Sequence, residues 1–189
     1  ARGTSRQEVL DQMKGAQEKL LTEIWGRRTE DLPVSSPEEL VILASIVEKE
    51  TALADERPRV AGVFVNRLNK NMRLQSDPTI LYGLYGGEAW LKDRSAIKQS
   101  ELKAENKYNT YQIDGLPPGP IGNPGRAAME AVANPSRTQD LFFVADGTGG
   151  HIFAETYEQH QENVRKWRRI ERERREAEKN QETQPTNSN

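Results

Sequence analysis

The sequence predicts an α+β fold: helices packed beside a small antiparallel β-sheet or hairpin, with a long charged C-terminal helix. Three observations carry this. Ser36-Pro37 and Ser76-Asp77-Pro78 each place a hydroxyl ahead of a proline and an apolar run, a signature of helix starts. Residues 141–145 (Leu-Phe-Phe-Val-Ala) and 151–154 (His-Ile-Phe-Ala) flank a Gly-rich turn and read as a hairpin. A last helix starting near 155–158 runs into alternating charges from Arg165 to Lys179, as on a solvated helix.

The elements follow in order. Residues 1–28 carry Val9, Leu10, Met13, Leu20, Leu21 and Ile24 at three-to-four spacing and read as a leading helix. Pro33 ends that pattern within a connector at 29–34. Ser36 as N-cap, Pro37 as first helical residue and Glu39 at the third position form a capping box before the apolar run 40–47. Pro58 to Asn71 is a second helix, with Val60, Val63, Phe64 and Leu68 on its stripe. A short helix from Ser76-Asp77-Pro78 should run through Tyr82 and stop before Gly83, whereas the mixed polar stretch 85–112 predicts no element. Residues 115–125 hold eight Gly or Pro in eleven positions and make a stiff loop. Asn123-Pro124 then caps a helix to Ala133, the hairpin follows, a last helix starts near 155–158, and the tail after Asn180 should be disordered.

Composition narrows the function classes. Of 189 residues, 34% are hydrophobic and 30% charged, which suits one medium domain with charged flanks. There are 27 Lys and Arg against 29 Asp and Glu, a net charge of -2, so no single-sign field steers the molecule to nucleic acid. The basic 165–169 run is balanced by Glu162, Glu171, Glu173, Glu176 and Glu178. Without cysteine there is no disulfide framework, thiolate metal site or Cys nucleophile. No run approaches 18 apolar residues and no signal peptide opens the chain. The start at Ala1, in polar sequence, suggests a fragment whose upstream part would hold any anchor.

The sharpest chemical candidate lies at the end of the 37–51 helix. At about 100° per residue from Leu40, the apolar side chains point to roughly 320° and Glu50 to about 280°, whereas Glu48 lies near 80° and Lys49 near 180°. Only Glu50 shares the buried face. A carboxyl group pressed against aliphatic neighbours keeps its proton to higher pH, as a general acid must. The same placement also suits a structural pair with Arg57 or Arg67 of the next helix. His151 and His160 lack metal-ligand spacing, so no metal or other cofactor is expected. Gly147 to Gly150 lead into a strand rather than a helix, so they serve a turn rather than a phosphate. No serine sits in a nucleophile-elbow pattern. Tyr82, Tyr85, Trp90, Tyr108 and Tyr111 cluster in polar sequence, which suits either sugar stacking or ordinary packing.

Several motifs in fixed order carry a resemblance. They are Leu43-Ala-Ser-Ile-Val-Glu-Lys-Glu-Thr51, Val63-Phe-Val-Asn-Arg-Leu68, Met72-Arg-Leu-Gln-Ser-Asp-Pro78, Tyr108-Asn-Thr-Tyr111, Gly115-Leu-Pro-Pro-Gly-Pro-Ile121, Asn123-Pro-Gly125, and Phe143-Val-Ala-Asp146 with Gly150-His-Ile-Phe153. From about residue 36 to 165 the chain resembles the endolytic murein transglycosylases of the YceG-like family. The resemblance implies a catalytic domain at 36–165; residues 1–35 read as a helical leader and connector that match the family poorly, and 166–189 as a charged helix with a tail that departs from the family's usual short terminus. It implies lytic cleavage of nascent peptidoglycan strands between N-acetylmuramic acid and N-acetylglucosamine. The product is a 1,6-anhydro-muramyl end that terminates elongation.

By the same resemblance Glu50, the second acid of Glu-Lys-Glu, is the catalytic residue, and Glu48, Asn66, Arg67, Gln75, Ser76, Asp77, Asn109 and Tyr111 surround the substrate. One acid can suffice because the muramyl 6-hydroxyl is an internal nucleophile and replaces water. The implied partners are glycan strands and peptidoglycan synthases, with no nucleic acid. The implied location is the bacterial inner membrane, through a single-pass anchor missing from this chain, with the catalytic domain facing the periplasm. A glycan-binding module without turnover is the alternative.

Overall fold

The computed structural model describes residues 3–91 and 97–182. In order, it contains α1 (Arg6–Gly26), α2 (Pro37–Glu50), α3 (Arg57–Asn69), α4 (Asp77–Tyr85), a 3-10 turn at Gly86–Leu91, α5 (Gln99–Leu102), α6 (Arg126–Ala133), β1 (Phe142–Ala145), β2 (His151–Ala154) and α7 (Tyr157–Glu182). Seven helices and one two-stranded antiparallel sheet among the described residues make the fold α+β. The chain divides into two compact units between Thr138 and Gln139. α1 packs on α2 and α6, and α7 runs through position 165.

The first unit is built on α2, α3 and α6. Leu40, Leu43, Ile46 and Val47 of α2, Val60, Val63 and Phe64 of α3, and Ala128, Met129 and Val132 of α6 are all buried. Ile24 of α1 joins them, so the leading helix ends inside the core although Val9, Leu10 and Met13 are exposed. Burying each of the Val, Leu, Ile, Phe and Met side chains stabilises the fold by roughly 1.5–3 kcal/mol. α3 and the segment after α6 come unusually close: Ser136 N–H donates to the Pro58 carbonyl at 2.9 Å. A Cβ on Gly62 would lie 2.7 Å from the Ser136 oxygen, so only glycine fits there.

Helix starts follow local chemistry. Ser5 and Glu8 cap α1 reciprocally, with Glu8 N–H donating to Ser5 Oγ at 3.2 Å and Ser5 N–H to Glu8 Oε2 at 2.7 Å. Ser36 Oγ accepts from Glu39 N–H at 3.2 Å, with Pro37 at the first helical position. The reciprocal half of that expected box is displaced by one residue: Glu39 accepts from Ser35 N–H at 2.7 Å and Ser35 Oγ at 2.9 Å.

Two boundaries differ from expectation. α4 passes through Gly83 and ends at Tyr85, because the missing Cβ at 83 makes room for Asn106 rather than stopping the helix. α6 starts at Arg126 with Gly125 as N-cap, not at Asn123-Pro124, and Pro124 is buried in the approach to it. The stretch expected to hold no element contains the 3-10 turn and the one-turn α5, while residues 92–96 lie outside the described residues.

The second unit is the hairpin and α7. β1 and β2 pair with Phe142 opposite Ala154 and Ala145 opposite His151. Asp146 shapes the turn by accepting from Thr148 N–H at 2.6 Å and Gly150 N–H at 3.1 Å, while Gly147 and Gly149 take positive φ of 88° and 103°. The hairpin packs on α7: a Cβ at Gly147 would meet Ile170 and Trp167, and Arg174 donates to the Gly147 carbonyl. α7 continues two residues past Asn180, and the rest of the expected disordered tail, 183–189, lies outside the described residues.

Candidate active site

Glu50 closes α2. Its helix presses Ile46 and Val47 into the core, and the 100° step carries Glu50 to the same side, where it is only partly exposed. Ser76 Oγ donates to Glu50 Oε1 at 2.5 Å. Burial pushes the Glu50 carboxyl up to about 7, and the Asp77 charge adds to that rise. The Ser76 hydrogen bond and the Arg67 charge act against it but do not win. Among the described residues Glu50 has no ion pair. Arg57 donates instead to the Ala52 carbonyl at 3.4 Å, so the structural-staple reading has no counterpart here.

Arg67 holds the chain that delivers Ser76. It is 7% exposed on α3, and its Nη1 donates to the carbonyls of Arg73 and Leu74, each at 3.0 Å, and to Gln75 Oε1 at 3.1 Å. Burial lowers its pKa, and the Glu50 carboxylate acts the other way. The cation therefore acts on Glu50 through space while its donors bind the turn. Gln75 takes φ 53°, an uncommon left-handed conformation for a non-glycine residue, and its N–H donates to the Thr110 carbonyl at 3.2 Å.

Asp77 and Tyr111 complete the cluster. Tyr111 Oη donates to Asp77 Oδ1 at 2.7 Å, and burial followed by the Asp77 charge holds the phenol well above its ordinary pKa. Tyr111 thus stays a neutral donor. Asp77, exposed at the start of α4, offers its carboxylate both to that phenol and to solvent. Arg73 ties the Tyr111 segment down, donating to the Tyr111 carbonyl at 3.0 Å and pairing with Asp114 at 2.9 Å.

The structure therefore brings Glu50, Arg67, Gln75, Ser76, Asp77 and Tyr111 together, and sets three other expected residues to different tasks. Asn109 is fully buried, its amide donating to the carbonyls of Ala104 at 2.7 Å and Leu102 at 3.2 Å. Asn66 donates to the Thr138 carbonyl at 2.9 Å, beside Thr29, Leu32 and Gly62. Glu48 Oε2 accepts from Gly125 N–H at 3.1 Å.

That last contact belongs to the seating of the Pro/Gly loop. Ser45 Oγ accepts from Ile121 N–H at 2.9 Å, and Lys49 passes beside Gly122 and lays its ammonium 4.4 Å from the Trp90 ring centre. Ser45, Glu48 and Lys49 lie roughly 100–160° around α2 from Glu50, so the loop is seated on the side turned away from that carboxyl. The other aromatics mostly pack. Tyr82 meets Tyr108 edge-on at 4.9 Å, and Tyr85 donates to Glu101 at 2.9 Å.

Sequence reasoning missed Thr79 and Thr110, both fully buried directly behind Ser76. A signal existed in each case. Thr79 is the third residue of α4, where a hydroxyl can turn back on the N-cap, and Thr110 stands inside the Asn-Thr motif already singled out.

Chemically, the cluster can deliver a proton and take one back. A carboxyl poised near neutrality, hydrogen-bonded by a hydroxyl that favours its ionised form, suits both steps. No group of three His, Asp or Glu among the described residues could hold a metal ion.

A model of the YceG-like family matches residues 1–166. The match starts at residue 1, so the leading 35 residues, expected to fall outside it, are part of it. The chain is 38% identical over 165 residues to an endolytic murein transglycosylase of Streptococcus pneumoniae serotype 2, covering 85% of this chain and 29% of that one. It is 37% identical over 132 residues to an endolytic murein transglycosylase of Bacillus subtilis, covering 70% of this chain and 35% of that one. A solved yceG-like protein of Listeria monocytogenes superposes with a TM-score of 0.67 at 32% identity, covering 86% of this chain and 50% of that chain. The chain thus spans about a third of the length of the curated relatives it matches.

Proposed function

The chain belongs to the YceG-like family, and from that premise we propose that it carries the catalytic site of an endolytic lytic transglycosylase acting on peptidoglycan strands. The observation that carries the reading is the placement of Glu50: partly buried, raised to about 7, and served by one hydroxyl donor rather than by a cation. Relatives named for that activity support the choice of reaction.

In the proposed reaction Glu50 protonates the glycosidic oxygen as its bond to the muramyl C1 breaks. The resulting carboxylate accepts the Ser76 hydrogen bond, which stabilises the charge as it forms. It then takes the proton of the muramyl 6-hydroxyl while that oxygen closes on C1. Protons balance without water, so the new end is the 1,6-anhydro sugar, about 18 Da lighter than a hydrolysed one. Gln75, Asp77 and Tyr111, at the surface beside the acid, are the candidates for holding N-acetyl and hydroxyl groups. Arg67 shapes the site from behind by binding the 73–75 turn, while Asn109, Asn66 and Glu48 bind other parts of the chain. Peptidoglycan lies outside the cytoplasmic membrane, so the site would work on the periplasmic face, beside the synthases that extend the strands. Among the described residues no helix is long and apolar enough to cross a membrane.

Glu50→Gln keeps the shape and removes the transferable proton. Mass spectrometry of sacculus digests should show anhydro-muropeptides released by the wild type and none by the variant. Anhydro products from Glu50→Gln would overturn the assignment of the acid, and reducing ends from the wild type would overturn the lytic reaction. Binding of strands without any product would favour the glycan-binding module.

A further inference from the structure

The hydrogen bonds behind Ser76 form a closed ring, and the supply of protons fixes its direction. Thr79 Oγ1 lies 2.6 Å from the Ser76 carbonyl oxygen, which can only accept, so the single Thr79 hydroxyl proton is committed there. The 2.8 Å contact between Thr79 Oγ1 and Thr110 Oγ1 must then use the Thr110 proton. Thr110 Oγ1 in turn accepts from Ser76 N–H at 2.9 Å. Both backbone polar groups of Ser76 are thus held by two threonines that are 0% exposed. Thr110 N–H reaches Thr79 Oγ1 at 3.3 Å and closes the cluster from the other strand of chain.

The ring leaves one group of Ser76 unused. As N-cap of α4 its hydroxyl would ordinarily accept a helix N–H, yet it makes no cap bond. The Thr79 N–H donates to the Ser76 carbonyl at 3.2 Å instead. With its backbone satisfied by the threonines, Ser76 keeps its hydroxyl proton for Glu50.

We propose that Thr79 and Thr110 are positioning residues of the active site: their ring clamps the Ser76 peptide and so aims the Ser76 hydroxyl at the Glu50 carboxyl. This rests on the reading of Glu50 as the acid. The residues never meet substrate, because Ser76 lies between them and the carboxyl. Besides Ser76, the charged groups acting on Glu50 are Asp77 and Arg67, and Glu50 in turn acts on Tyr111; the ring holds Asp77 and Tyr111 in register by binding the residues beside them.

Thr110→Val removes one arm of the ring at nearly constant volume. A misdirected Ser76 donates less well to the ionised Glu50, so the NMR titration of the Glu50 carboxyl should move upward. The rate kcat should fall about tenfold, the scale of one lost hydrogen bond, with KM near the wild-type value. Thr110→Ser should restore both. In a Ser76→Ala background Thr110→Val should change neither further, because the hydroxyl it aims is gone. Thr79→Ala is read in the same way, so the test stands even if one variant fails to fold. A lower melting temperature with unchanged kcat and titration, or a full additional effect on top of Ser76→Ala, would overturn the proposal. Glu50→Gln run alongside separates the cases: product from that variant sinks the acid assignment itself, whereas its inactivity beside an unaffected Thr110→Val sinks only the ring.

Discussion

The starts of α2 and α4 carry the same signature, a serine ahead of a proline in the first turn, and they use it in opposite ways. At α2 the Ser36 hydroxyl accepts from Glu39 N–H and satisfies one of the helix's orphan donors. At α4 the Ser76 hydroxyl caps nothing and donates to Glu50, while Thr79 and Thr110 hold its backbone. A local motif states that a helix begins. What its hydroxyl does depends on whether a carboxyl from elsewhere in the chain arrives within reach and whether other groups take over the backbone.

Changing the carboxyl should have the largest effect on this contrast. Glu50 is raised from 4.5 to about 7 in the folded protein. Below pH 4.5 it is protonated in both states and contributes nothing. As pH rises from there the unfolded chain ionises first, so stability falls until about pH 7 and then levels. Over that window the wild type should lose about 3 kcal/mol relative to Glu50→Gln, which does not titrate. Denaturant unfolding at pH 4.5 and pH 8 should therefore show the inactive variant to be the more stable protein at the higher pH only. The same proton sets activity, and kcat/KM of the wild type should decline above about pH 7.

Changing the donor comes next. Ser76→Ala removes the hydrogen bond that favours the ionised carboxyl, so the folded pKa rises further and an additional loss appears only above about pH 7. That loss should be about 1.5–3 kcal/mol, the range for a hydrogen bond to a charged group. Ser36→Ala should instead cost about 1 kcal/mol at every pH from 5 to 9, because neither its hydroxyl nor its N–H partner titrates there. Equal pH profiles for the two variants would erase the distinction.

How far the sequence reached follows from the same contrast. Periodicity places α2 and α3, and a helical wheel on one helix sets Glu50 and Glu48 on different sides, because those properties depend on residues within two turns. The hairpin was equally readable from its turn residues. The tasks of Asn66, Asn109 and Glu48 were not, since each depends on a carbonyl or N–H brought in by tertiary folding: Thr138 to Asn66 and Gly125 to Glu48, for instance. Gly83 misled for a related reason. Glycine commonly ends helices, but here the absent side chain accommodates Asn106 from a distant segment. Thr79 and Thr110 each carry a local signal, but their joint role arises only when folding brings together two residues 31 apart.

A third helix start gives the smallest expected effect. α6 begins after Gly125, which has no side chain to cap with, and the acceptor comes from α2, where Glu48 Oε2 takes the Gly125 N–H at 3.1 Å. The carboxylate also sits at the positive end of the α6 dipole. Glu48→Ala should therefore cost only about 0.5 kcal/mol, measured by denaturant unfolding at low salt, with part of the loss disappearing as salt screens the charge. The Glu50 titration should stay where it is, because Glu48 is absent from the charges and hydrogen bonds that move it. An upward or downward shift of that titration in Glu48→Ala would mean that the two acids of the Glu-Lys-Glu motif act as a coupled pair, and the division of labour read from the helix wheel would fail.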